Sequence, residues 1–294
     1  MLKKLLAFGI VVILVLNTAG CAATDKKIVL ASKPMTEQYV LAEILTQLIE
    51  KDTDIKVEQK LGIGGGTSNI QPGMESGAID LYPEYTGTGW LFVLKKDLIN
   101  DPQQLYDSVK KEYAETYNIH WSGLYGFNDT FGIGVKKALA DKYNLKTYTD
   151  LAKVSADLSF GAEYDFYERE DGYPGLVDTY GFAFKDKVEL DIGLKYEAID
   201  ADKVDVINVF STDAQLRKIG MVVLEDDKNF FPSYFAATLI RNDTLEKYPE
   251  LETVLEKLTG QINNEEMTEM NYLVEIEKQD PKKVAADFLQ KKGL

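Results

Sequence analysis

Cysteine and histidine are almost missing from this chain: Cys21 and His120 are the single examples in 294 residues. One thiol forms no internal disulfide, and the pair leaves no His/Cys cluster for a zinc or iron site. Basic residues are also in deficit, with 33 Lys and Arg against 48 Asp and Glu and a formal net charge of −15. A surface so acidic is a poor partner for nucleic acid or for anionic lipid headgroups, and it favours solubility. A membrane-spanning run is lacking too, because the apolar stretch Leu5 to Leu16 falls short of the roughly 18 to 20 residues that a bilayer requires. No internal repeat, low-complexity linker or nucleic-acid motif interrupts the rest.

What is present begins with that short apolar stretch. Lys3 and Lys4 precede it, and Thr18-Ala19-Gly20-Cys21 closes it with small residues and the cysteine. This is the pattern of a lipoprotein export signal, which predicts cleavage after residue 20 and acylation of Cys21. The chain is then expected on the extracytoplasmic face of the cell membrane, anchored by lipid. Residues 1–20 are removed in this reading, leaving 274, enough for two mid-sized lobes sharing a cleft. His120, within Tyr117-Asn118-Ile119-His120-Trp121, reads as a packed structural residue of a strand.

From Lys26 onward the pattern is α/β. Lys26–Ala31 predicts a buried strand, and Val40, Leu41, Ile44, Leu45 and Leu48 fall at helical spacing in a helix over Thr36–Leu48. Strands follow at 55–58 and 78–82, with a short helix at 68–74 between them and an amphipathic helix over 101–117 leading to a strand at 119–124. Phe127–Val135 predicts a strand crossing into a second α/β unit, with strands at 158–162, 204–210 and 221–224 and helices at 172–180 and 213–219. Tyr234–Ile240 predicts a strand returning to the first unit, before helices at 244–258, 264–278 and 281–292. The expected division is 21–126 for the first lobe, 127–235 for the second, and 236–294 for the return. Two lobes joined by two crossings form a hinge that closes around a ligand.

Gly62-Ile63-Gly64-Gly65-Gly66-Thr67 lies between a strand and a helix, but Thr67 replaces the third glycine of a dinucleotide fingerprint. A tight turn with Thr67 or Ser68 as helix cap is the better reading, with free amides at the helix start able to face an anionic group. Aromatic rings crowd segments that read as loops: Tyr82, Tyr85 and Trp90; Phe127 and Phe131 about Asp129; Tyr164, Phe166 and Tyr167; Phe230, Phe231 and Tyr234 about Pro232. Ring faces carry negative potential, so several arranged around one point attract a quaternary ammonium group. Taken singly, each ring is equally a packing element between helix and sheet.

Ser32-Lys33-Pro34-Met35-Thr36-Glu37-Gln38-Tyr39, Gly65-Gly66-Thr67 and Tyr82-Pro83-Glu84-Tyr85-Thr86-Gly87-Thr88 resemble the substrate-binding proteins of osmoprotectant ABC importers. Val204-Asp205-Val206-Ile207, Leu224-Glu225-Asp226-Asp227 and Asn271-Tyr272 continue the likeness in order. The resemblance implies a type II periplasmic-binding-protein-like fold without enzymatic activity or cofactor. It also implies a small quaternary-ammonium solute such as glycine betaine, carnitine or choline, and ABC permease subunits as partners. It places an aromatic cage at Tyr85, Phe131, Phe210 and Tyr234, with Lys33, Thr88 and Arg169 toward the solute's carboxylate and Thr67 and Asp129 in the same site. Phe131 and Phe210 stand where tyrosine is common in that family, which leaves open another onium compound such as ergothioneine. The rival reading is an extracytoplasmic hydrolase using paired carboxylates such as Glu163 and Asp165.

Overall fold

The structure, a computed structural model, describes residues 26–294, so the export segment and Cys21 lie outside the described residues. Ten strands form two five-stranded sheets: β1 (Lys27–Ala31), β2 (Lys56–Lys60), β3 (Leu81–Tyr85), β4 (Ile119–Trp121), β5 (Phe131–Lys136), β6 (Ser159–Ala162), β7 (Asp186–Glu189), β8 (Val206–Phe210), β9 (Met221–Val223) and β10 (Ala236–Arg241). The first sheet has the order β2-β1-β3-β10-β4 and the second β7-β6-β8-β5-β9. Each is mixed. β1 runs parallel to β2 and β3 while β10 is antiparallel to β3 and β4; β6 runs parallel to β7 and β8 while β5 is antiparallel to β8 and β9.

Helices cover the sheets because their apolar stripes have no other place to be buried. In the helix Thr36–Asp52, Val40, Leu41, Ile44, Leu45 and Leu48 are all fully buried. The helix stops at Thr53, whose hydroxyl donates to the Ile49 carbonyl at 2.8 Å. The helix Pro281–Lys292 at the end of the chain packs on it, closing the first lobe. Among the described residues no helix is long and apolar enough to cross a membrane.

Several elements differ from expectation. β3 begins at Leu81 because the amides of Ala78 and Ile79 both donate to the Gly73 carbonyl, completing the preceding helix instead of opening a strand. The helix expected over 244–258 is two helices, Asn242–Lys247 and Glu250–Glu256, broken where Pro249 has no amide to donate. Tyr164–Glu168 is a short helix, not a loop. β7 and the helix Lys195–Asp200 were not anticipated; β7 is a polar, largely exposed edge strand with no apolar alternation to reveal it.

Two segments cross between the sheets, 122–130 and 224–235, and they pair with each other. Asn128 and Phe235 form an antiparallel bridge, the Asp129 amide donates to the Tyr234 carbonyl at 3.0 Å, and the Tyr234 amide donates to Asn128 Oδ1 at 2.6 Å. The hinge is therefore a short two-stranded ribbon.

Candidate ligand-binding site

Between the sheets lies a cavity of about 500 Å³, and every residue singled out from the sequence for binding lines it: Lys33, Thr67, Tyr85, Thr88, Asp129, Phe131, Arg169, Phe210 and Tyr234. Their convergence follows from register. Phe131 opens β5 and Phe210 closes β8, and these positions are directly paired, which sets their ring centroids 5.1 Å apart. Tyr85 closes β3 opposite Ala236, the first residue of β10. Tyr234, two residues earlier in the crossing, meets Phe131 edge to face at 5.1 Å and 88°. Two rings thus come from the second sheet, one from the first and one from the hinge. Gly87 makes this approach possible, since a Cβ there would sit 2.5 Å from the Tyr234 ring.

The polar groups are held by partners that the sequence did not announce. Arg169 donates through Nε to Asp171 Oδ1 at 2.8 Å and through Nη2 to Asp171 Oδ2 at 2.5 Å, and both terminal nitrogens reach Thr88 Oγ1 at 3.3 Å. Its guanidinium lies between the rings of Phe92 and Phe131, 5.1 and 5.0 Å from their centroids. Burial opposes the charge on Arg169, but Asp171 outweighs it and holds the group firmly cationic. Tyr234 also donates to Asp171 Oδ2, at 2.6 Å; burial, and then that carboxylate, push its phenol well above the ordinary range.

Lys33 Nζ donates to Glu84 at 2.5 Å and sits 4.7 Å above the Tyr85 ring. Glu84 is fully buried and also accepts from the Thr67 and Tyr82 hydroxyls at 2.7 and 2.9 Å and from the Tyr85 amide at 2.8 Å. Thr67 is therefore not a cap. The helix Thr67–Glu75 starts from Gly66, in a positive-φ conformation that a side chain would strain, and no side chain caps it. The amides of Gly64, Gly65 and Thr67 donate to no acceptor among the described residues, and all three residues line the cavity.

The cavity is also acidic in part. Glu163, Asp165, Glu189 and Asp191 line it with Tyr164, Leu190 and Ile192. Glu163 accepts from Asn208 at 2.8 Å through Oε1 while its buried Oε2 has no partner, and Asp165 accepts from Ser68 of the first lobe at 3.2 Å. Burial raises the Asp165 carboxyl despite the opposing pull of Lys33. The residues that sequence reasoning missed are mostly the ones that hold others: Asp171, Glu84, Glu37, Gln38 and Thr212. Glu37 and Glu84 stand inside the runs quoted above for their family resemblance; nothing in composition marks Asp171 or Thr212. His120 lies half-buried in β4, where burial pushes its imidazole below the ordinary range. Among the described residues no group of His, Cys, Asp and Glu is arranged to hold a metal ion.

Two mixed α/β sheets with an aromatic and charged cleft between them define the type II periplasmic-binding-protein fold class. The family described as the substrate binding domain of ABC-type glycine betaine transport system matches residues 26–291, and the chain belongs to it. It is 45% identical over 273 residues to the ergothioneine transport permease/ergothioneine binding protein of Helicobacter pylori, covering 93% of this chain and 49% of that protein. The chain thus spans about half the length of that relative. It is 38% identical over 258 residues to a carnitine transport binding protein of Listeria monocytogenes, covering 87% of this chain and 83% of that one. A solved glycine betaine/carnitine/choline ABC transporter structure superposes with a TM-score of 0.71 at 33% identity, covering 92% and 99% of the two chains. The family's description places its members in ABC-type transport as substrate-binding domains.

Proposed function

We propose that this chain is the lipid-anchored receptor of an ABC importer and captures a quaternary-ammonium solute between its lobes. The observation that carries the reading is the meeting of Tyr85, Phe131, Phe210 and Tyr234 around one cavity, three of them on paired strands and one in the hinge. Rings gathered at one point attract a cation that offers no hydrogen bond, and each desolvated contact contributes on the order of 1–2 kcal/mol. Here the rings already meet protein cations, Lys33 at Tyr85, Arg169 at Phe131 and Tyr234, and Lys195 at Phe210, with which the solute shares them. Lys33, Arg169, Thr67 and Thr88 supply the polar side for a carboxylate, while Asp129 adds negative charge by the cage. Acylated Cys21 is the tether, residues 21–126 and 236–294 make one lobe and 127–235 the other, and the solute leaves chemically unchanged.

A second reading of the solute is favoured by the cavity itself. About 500 Å³ is the room that pockets offer to drug-sized molecules, more than glycine betaine fills. Its lining includes the carboxylates of Glu163, Asp165, Glu189 and Asp191, with an unpartnered buried oxygen on Glu163. A betaine with an N–H-bearing ring, as in ergothioneine, uses such acceptors; glycine betaine has no donor for them. The name of the Helicobacter pylori relative supports this choice.

Titration calorimetry with glycine betaine, carnitine, choline and ergothioneine tests both readings. Tightest binding of ergothioneine supports the longer solute, tightest binding of a small betaine supports the simpler one, and no binding of any of the four sinks the receptor reading. Glycosides incubated with the protein should remain intact, whereas hydrolysis would restore Glu163 and Asp165 as catalysts.

A further inference from the structure

Behind the cage, Thr212 stands between two carboxyl groups. Its Oγ1 lies 2.5 Å from Glu37 Oε2 and 2.7 Å from Asp129 Oδ1. All three residues are buried, at 1%, 1% and 3% exposure for Thr212, Glu37 and Asp129. They come from different parts of the molecule. Glu37 belongs to the first-lobe helix Thr36–Asp52, Asp129 to the hinge ribbon, and Thr212 to the turn after β8 in the second lobe. A hydroxyl has one proton to donate and an ionised carboxylate has none. Two such contacts therefore require a second proton, carried by one of the carboxyls.

We infer that closing the lobes traps one proton in the Glu37–Thr212–Asp129 chain, so that the proton is a second ligand whose binding is linked to that of the solute. The linkage to solute rests on the receptor reading above; the trapped proton rests on the hydrogen-bond count alone. Asp129 lines the cavity, whereas Glu37 is not among its lining residues. With an onium group in the cage the favourable order is Glu37 as un-ionised acid donating to Thr212, and Thr212 donating to Asp129, which faces the cation as an anion. Burial is the largest influence on both carboxyls and lifts both above the usual range; hydrogen bonds from Thr212, Tyr85 and Asn271 oppose it at Glu37, where the result is about 7.

The surrounding charges agree with one proton. Asp213 repels both carboxyls; it is held by the Tyr196 hydroxyl and the Phe210 amide, with Lys195 Nζ 3.8 Å away. The Tyr85 hydroxyl donates to Glu37 Oε1 at 2.6 Å and accepts from Gln38 at 3.1 Å. Lys33 sits over the ring of that tyrosine, already committed to Glu84. From the helix Asn264–Glu275, Asn271 donates to Glu37 Oε2 at 3.3 Å and to the Thr212 carbonyl at 3.1 Å, while Glu275 is itself raised by burial and by Asp213.

The sign follows from linkage. If parting the lobes returns water to Glu37, its carboxyl falls from about 7 toward the ordinary glutamate value of 4.5; at low pH it is protonated in both states, so closure carries no penalty there. Between those values closure takes up a proton and solute affinity falls by up to about tenfold per pH unit. Above about 7 the loss levels off.

The test measures binding of choline and ergothioneine by calorimetry from pH 5 to 8, in buffers of different ionisation enthalpy, alongside infrared detection of un-ionised carboxyl groups in the protein itself. Wild type should show affinity declining toward pH 7, buffer-dependent heat from proton uptake, and an acid carbonyl band persisting to pH 6.5. Glu37→Gln places a permanent donor where the proton sits, so it should bind with little pH dependence and lose the band. Asp129→Asn should weaken both probes. Heat that is the same in every buffer, with affinity flat from pH 5 to 8, overturns the linkage. Absence of the acid band in wild type saturated with either probe overturns the trapped proton. Absence of heat with both probes while the band is present overturns the solute reading instead.

Discussion

Replacing Asp171 with asparagine should cost the protein far more than its place beside the cavity suggests. Asp171 is 5% exposed and accepts three hydrogen bonds, two from Arg169 and one from Tyr234. Arg169 is equally buried and keeps just the two 3.3 Å contacts to Thr88 once the carboxylate is gone. Removing one partner of a buried ion pair costs about 3–5 kcal/mol, because the other charge stays desolvated. Asparagine retains one carbonyl acceptor, which points to the lower end, about 3 kcal/mol. For a chain of this size that corresponds to a fall in Tm of about 5 °C. Urea and thermal unfolding followed by circular dichroism provide the assay. The double variant Arg169→Met/Asp171→Asn removes the stranded charge and should regain much of the loss, since apolar replacement of a whole pair is often neutral. A single variant within about 0.5 kcal/mol of wild type would refute the reasoning, as would a double variant whose loss is the sum of both singles.

Tyr85→Ala and Tyr234→Ala should each weaken choline binding by on the order of 1–2 kcal/mol, and unchanged calorimetric affinity in both would sink the cage. Arg169→Ala should weaken glycine betaine much more than choline, which has no carboxylate; equal losses would mean that Arg169 supports the lobes without reading the solute. Gly87→Ala should cut solute affinity by forcing the Tyr234 ring aside, and a variant that binds as wild type would show that the ring has room to move. Solution scattering should give a smaller radius of gyration with saturating solute, and an unchanged profile alongside tight binding would place the free protein already closed.

The sequence exposed those parts of the molecule that repeat a simple period. The helix Thr36–Asp52 announces itself through five apolar residues on one face, and β8 through an apolar run broken only by Asn208. β7 does not, because an exposed edge strand has no core to dictate its residues. The cavity-lining residues were found by motif likeness and aromatic crowding. Their supporting carboxylates were not, because Glu37, Glu84 and Asp171 look like any other acid in a chain with 48 of them. Burial distinguishes them, and burial is a property of the fold. Thr212 is harder still: its importance lies in standing between residues 175 and 83 positions away in the chain.

The hinge ribbon has a consequence for how cargo changes hands. Tyr234 and Asp129 line the cavity and are also the residues whose backbones join the two crossings, by the 3.0 Å bond from one amide to the other carbonyl. Bending that ribbon displaces a ring and a carboxylate of the site in the same movement. Opening about the proposed hinge would thus dismantle the compartment as well as uncover it, and the solute would lose contacts before it had moved. On the receptor reading proposed above, a transporter that pulls the lobes apart has no need to outbid this protein for its passenger; holding the jaws open is enough to make the passenger leave.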